Sequence, residues 1–306
     1  MRTVTRGYLV ALWAVVGVLA IAALILSARL FGEAGPPRLW IVLSRTLVIL
    51  WAMTWVALPF CLRGFAVQYR REMGAYFLGP IPYVCLTVLL LLLGLLVFVP
   101  AYLSTEGEQF ASLTPIQVWS ALLFVFTIPI LTMRLLAAER SSGTFEVLMT
   151  DPITDFEVVL AKFCAAMTVL AAILLPQAAH VAIVASFSRL SMAEVLCGYL
   201  GVVCVGALMT SIGLFLSSLV KSQAVAAVVG VIVLFLLFFG AFPLQFITNL
   251  GDETREFWEM YVSMPRHMES FFGQGILSTR LLCLYVSTTA LFLFFSIRAV
   301  ESRKWR

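Results

Sequence analysis

Ionisable side chains are scarce in this chain, and their positions limit the chemistry open to it. Only three lysines are present, Lys162, Lys221 and Lys304. None belongs to a GxxxxGK[ST] loop, so the chain cannot hold a nucleoside triphosphate by that device. The two histidines, His180 and His267, fall in different segments and give a bis-histidine haem or a metal cluster little to build on. His180 follows closely on Pro176 and Gln177; the Gln177–His180 pair could line a polar cavity or satisfy a local helix kink. Carboxylates avoid the long apolar runs: none lies in 80–103, 116–137 or 223–244, and Glu157 and Glu194 stand at the ends of others. An ion-driven carrier with a midplane acidic site therefore finds little support. The densest acidic set, Asp252, Glu253, Glu256, Glu259 and Glu269 with His267, reads as a solvated face rather than a catalytic cluster. The most suggestive stretch runs from Glu139 to Lys162. Its charged flanks enclose Phe145, Leu148 and Met149, spaced to share one face of a short helix.

The elements that position these residues follow from composition. The chain has 306 residues, of which 62% are hydrophobic and 12% charged, against about 45–50% and about 25% in soluble domains. Mean hydropathy is +1.04. Such a chain cannot cover a soluble surface with polar side chains, which excludes a soluble enzyme, a disordered tail and a nucleic-acid binder. The class is all-α, a polytopic bundle of transmembrane helices. About eight stretches are long enough to span, near 8–28, 39–62, 80–103, 116–137, 158–186, 193–217, 223–244 and 279–299. Tyr8, Trp40, Tyr83, Tyr102, Trp119 and Tyr199 mark several ends as interface anchors. The first run, Tyr8 to Ala28, exceeds a signal-peptide core and reads as a retained span. The six cysteines sit in or at the ends of apolar runs without CxxC spacing and read as packing residues. With eight spans, 13 of the Lys and Arg residues fall on the side of both termini and 7 on the other. Both termini are therefore expected in the cytoplasm.

Four segments lie outside the spans. In 65–77, Phe65, Tyr69, Met73 and Tyr76 recur at helical spacing, while Gln68, Arg71 and Glu72 fall largely elsewhere. This predicts an amphipathic helix on the inner membrane surface, with a polar connector as the alternative. In 139–162, Ser141-Ser142-Gly143 breaks a helix, a short helix runs over 144–150, and Pro152 ends it. Thr154-Asp155-Phe156-Glu157 then has capping-box spacing and starts the next helix. The apolar face of the short helix suits docking into a groove on a partner protein, or contact with lipid alone. Ser217 to Gln223 is a tight inner turn. The segment 245–279 mixes charges with Phe257, Trp258, Tyr261, Phe271 and Phe272, as expected of surface or interfacial helices over the outer mouth.

The run from Glu139 to Ile153 resembles the cytoplasmic signature of ABC-2 type transporter permeases, E-[KR]-x-x-G-T-x-E-x-L-x-x-x-P-[IL]. The family's following lysine, ten residues after the proline, is matched by Lys162. Arg70 to Tyr83 resembles the family's amphipathic entry helix and first span. The end of the chain, from His267-Met268-Glu269-Ser270-Phe271 through Ala299 to Trp305, is similar to the last span of the gliding-motility-type branch. The resemblance covers roughly residues 64–306.

The resemblance implies a six-span permease core over 64–306 that dimerises in the bilayer and binds two cytoplasmic ATPase subunits. It implies a coupling loop over 138–157, carrying Glu139, Arg140, Gly143, Thr144, Phe145, Glu146, Leu148, Met149 and Pro152, with Lys162 beyond it. Gly143 would give the turn, Glu146 a polar contact or brace, and Pro152 the exit angle. The entry helix would use Arg70, Arg71, Glu72, Tyr76 and Phe77. No cofactor is expected on this chain; ATP and Mg would sit on the ATPase subunit. Residues 1–63 add two spans outside the family pattern. The expected function is the permease subunit of an ATP-driven exporter in the bacterial plasma (inner) membrane, not itself an enzyme. The alternatives are a structural anchor of a motility or secretion complex and, behind it, a membrane-embedded lipid-modifying enzyme.

Overall fold

A computed structural model describes residues 63–103, 113–141, 154–187, 191–240, 242 and 261–302. The two N-terminal spans, the short helix expected over 144–150 and the whole of 245–260 lie outside the described residues. The chain divides into two units, Met1–Val67 and Gln68–Arg306, and the architecture below is that of the second, with the first residues of its leading helix. All regular structure among the described residues is helical. The helices are α1 (Arg63–Phe77), α2 (Ile81–Leu103), α3 (Thr114–Thr132), α4 (Ala137–Ser141) and α5 (Asp155–Leu174). They continue with α6 (Ala178–Phe187), α7 (Met192–Leu219), α8 (Gln223–Phe239), α9 (Met264–His267) and α10 (Thr279–Glu301). A π-helical turn, Met268–Phe272, extends α9.

Among the described residues, five stretches are long and apolar enough to cross a membrane: Ile81–Val99, Thr114–Glu139, Asp155–Ala185, Met192–Leu219 and Thr279–Glu301. α8 is a shorter apolar helix of 17 residues, at the lower limit for a span. These six correspond to the hydropathy runs from residue 80 onward. Two runs are not single rods. Pro129 lies inside α3, and after Thr132 the chain turns before resuming as α4. Pro176 separates α5 from α6, because proline removes a helical donor and crowds the preceding turn.

The long helix α7 is the centre of the core. Small residues let its neighbours approach: Gly201 receives the ring of Phe272, Gly206 meets Leu170 and Gly213 meets Thr132. α8 presents Ala226, Gly230, Leu234 and Phe238 inward at four-residue spacing. A Cβ at Gly230 would stand 3.0 Å from Pro129. The close packing that Ala226 and Gly230 permit is thus used within the chain, against α3. α2, α8 and α10 leave long apolar faces exposed, such as Leu91, Leu95, Val228, Leu236, Leu291 and Phe294, as expected of helices bathed in hydrocarbon.

The described part of the segment before α10, from residue 261, is buried more deeply than the surface or interfacial helices expected there. Met264, Met268 and Phe272 are buried, and His267 Nδ1 lies 2.9 Å from the Tyr285 hydroxyl in the interior. The notch at Gly201 accommodates Phe272 as core, which composition alone does not reveal. Gly275 adopts φ +75° in the turn that follows, a conformation glycine reaches without strain.

Candidate functional site

Glu139 of the expected coupling region and Glu72 of the entry helix converge on the Lys162 ammonium nitrogen. Lys162 Nζ lies 2.7 Å from Glu72 Oε1 and 2.9 Å from Glu139 Oε1. Lys162 is fully buried, and Glu72 and Glu139 are nearly so. Gln68 Nε2 donates to Glu72 Oε1 at 2.8 Å, and Arg71 Nη2 stands 3.4 Å from Glu139 Oε1. Three helices distant in sequence thus meet: Glu72 on α1, Glu139 on α4 and Lys162 on α5. A desolvated ammonium is tolerable only because two carboxylates compensate it.

Local structure places each partner. α5 starts on the anticipated capping box: Thr154 Oγ1 accepts from the Glu157 amide, and Glu157 Oε2 accepts from the Thr154 amide at 3.0 Å. Lys162 follows eight residues later, about 12 Å up the helix. Glu139 is set by the break between α3 and α4. There, Ser217 Oγ on α7 accepts from the amides of Leu136 and Ala137 at 3.3 and 3.1 Å. The Ser217 hydroxyl also donates toward the Met133 carbonyl at 3.4 Å. Tyr76 donates to the Leu131 carbonyl at 2.7 Å. Backbone groups orphaned by the break are thereby paired by side chains. Burial, with the nearby Glu72 carboxylate, pushes the Tyr76 phenol far above its usual range, against an opposing pull from Arg134. It stays a neutral donor.

α1 corrects the amphipathic reading. Tyr76 of the expected stripe is buried, but so are Gln68 and Glu72, eight and four residues before it, which the polarity pattern places elsewhere. Tyr69 and Met73 are half-buried, and the Tyr69 hydroxyl lies 2.8 Å from Thr168 Oγ1 on α5. Arg70, Arg71 and Phe77 are exposed. The polar face turns in because Lys162 waits there, ninety positions away. Gln68, Ser217 and Thr168 carry no local signal for these roles, although Ser217 falls in the predicted turn.

Of the expected coupling residues, Glu139 and Lys162 are brought together. The backbone of Arg140 belongs to α4. Gly143, Thr144, Phe145, Glu146, Leu148, Met149 and Pro152 lie outside the described residues. Glu139 stands just before that stretch and Lys162 just after it, so an ion pair ties its two flanks. The Gln177 and His180 side chains, both just beyond the Pro176 break, part company: Gln177 turns toward Ser120, and His180 stacks on Phe98 of α2 with centroids 5.6 Å apart.

The family model described as ABC-2 family transporter protein matches residues 82–257, a stretch that includes Glu139 and Lys162 and leaves out α1. No curated protein matches the chain.

Proposed function

The chain belongs to the ABC-2 family of transporter proteins, an integral membrane component that associates with an ATP-binding partner, and we propose that it is the permease subunit of an exporter. The segment 138–157 is its coupling loop. The observation that carries this reading is the Lys162 network, which joins both flanks of the loop to each other and to α1. A push on the loop would then move α4, α5 and the entry helix together, in the manner of a rigid-body transition between two packings.

Phe145, Leu148 and Met149 would dock on the ATPase, Gly143 and Pro152 would shape the loop, and Thr144, Glu146 and Arg140 would brace it. ATP and Mg belong on the partner, since this chain offers no phosphate-binding loop. The excess of Lys and Arg beside both termini supports placing them in the cytoplasm, with the core in the inner membrane. The core over 64–306 would pair with a second permease, and residues 1–63 would be an added two-span extension. The similarity of 267–305 to the last span of the gliding-motility-type branch supports that branch.

Purification from native membranes in mild detergent tests this. We expect a stoichiometric P-loop ATPase that is lost when Phe145, Leu148 and Met149 become Asp. A folded chain that repeatedly brings no ATPase would overturn the reading.

A further inference from the structure

At the end of the bundle opposite Lys162, a small pocket forms between the start of α3, the Pro176 break and the start of α7. Its wall is leucine, isoleucine and valine, interrupted by Gln117, Gln177 and Tyr199. Gln117 and Gln177 are only 5% and 2% exposed. Gln117 Oε1, Gln177 Oε1 and the Tyr199 hydroxyl find no hydrogen-bond partner among the described residues. Buried polar atoms are nearly always paired, and leaving them unpaired in an apolar interior is costly.

The hydrogen-bond network fixes what the pocket presents. The Ser120 hydroxyl donates to the Ile116 carbonyl, so it can only accept from Gln177. Gln177 Nε2 supplies that bond at 2.6 Å, leaving Gln177 Oε1 as an acceptor on the pocket wall. The Tyr199 phenol can donate. The space holds about one water molecule. No charged side chain among the described residues lines it, so an ammonium or carboxylate would enter without a counter-charge from them. One neutral hydroxyl fits: it donates to a glutamine carbonyl and accepts from Tyr199. A water molecule answers both glutamines at once.

We propose that this pocket binds a single neutral hydroxyl between Gln117, Gln177 and Tyr199, supplied by water or by the free hydroxyl of an amphipathic alcohol in the bilayer. The site is independent of the coupling loop, and either reading survives the failure of the other.

The full chain reconstituted in nanodiscs containing 1,2-dioleoylglycerol, or the same lipid with its hydroxyl acetylated, provides the test by native mass spectrometry and a high-resolution map. Retention of dioleoylglycerol at least tenfold over its acetate, reduced several-fold in Tyr199→Phe and abolished in Gln117→Leu/Gln177→Leu, would identify a lipid hydroxyl. Retention of neither lipid, with density for one water bridging the three side chains, would identify water in the same site. Equal retention of both lipids would overturn the proposal. So would a map in which the two amides close on each other and no density stands between them. Tyr199→Phe removes only an oxygen atom and keeps the test valid if the double variant fails to fold.

Discussion

The two ends of the bundle handle the same difficulty in opposite ways. At one end, four charged groups from three helices come together, and each has an opposite charge within 3.4 Å. At the other, two buried glutamines and a tyrosine keep polar atoms facing a pocket. Internal pairing locks helices together, whereas unpaired groups hold a place for something else. The first arrangement suits an element that must transmit force, and the second suits a binding site.

The comparison is broken most severely at Lys162. Lys162→Met leaves Glu72 buried without a counter-charge and Glu139 with only the half-exposed Arg71, at a cost of about 3–5 kcal/mol. A large drop in the thermal unfolding midpoint of the purified chain in detergent is expected. Replacing all three at once, Glu72→Leu/Glu139→Leu/Lys162→Met, removes the buried charges together and should recover most of that loss. A triple variant no more stable than Lys162→Met would show that the network is not what holds this end.

A smaller effect is expected at the break between α3 and α4. Ser217→Ala strands the amides of Leu136 and Ala137, at a cost of about 1–3 kcal/mol. Faster hydrogen exchange confined to 133–141 would localise it; unchanged exchange there would show that the break needs no such brace. The smallest effect belongs to Arg71→Ala. The Arg71 side chain is 53% exposed, and an exposed pair contributes under about 1 kcal/mol. An unfolding midpoint close to the parent, insensitive to salt, is expected. A shift as large as that of Ser217→Ala would mean Arg71 is an integral member of the network.

Much of this architecture was readable from residue order. Twenty-residue apolar runs need no partner to declare themselves, so the six core helices follow from hydropathy. The capping box Thr154–Glu157 is local chemistry and stands as expected. Lys162 and Glu139 were singled out by the spacing of the signature, though nothing local says that they touch. What remained illegible depends on distant partners. Glu72 turns inward because of a lysine on α5, and Ser217 braces a break about eighty residues upstream. Phe272 counts as core only because Gly201 leaves it a notch. A helical wheel weighs each side chain by polarity alone, and therefore leaves Gln68 and Glu72 off the inward face that they share with Tyr76.

The most direct test of force transmission follows hydrogen exchange in residues 68–77 as nucleotide is added to the copurified ATPase complex. In the parent complex, trapping with ATP and vanadate should change exchange both in the loop 142–153 and in 68–77. In Glu72→Leu/Glu139→Leu/Lys162→Met, the loop should still respond while 68–77 falls silent. An undiminished response of 68–77 in that variant would contradict the claim that the Lys162 network carries the motion of the loop into the bundle.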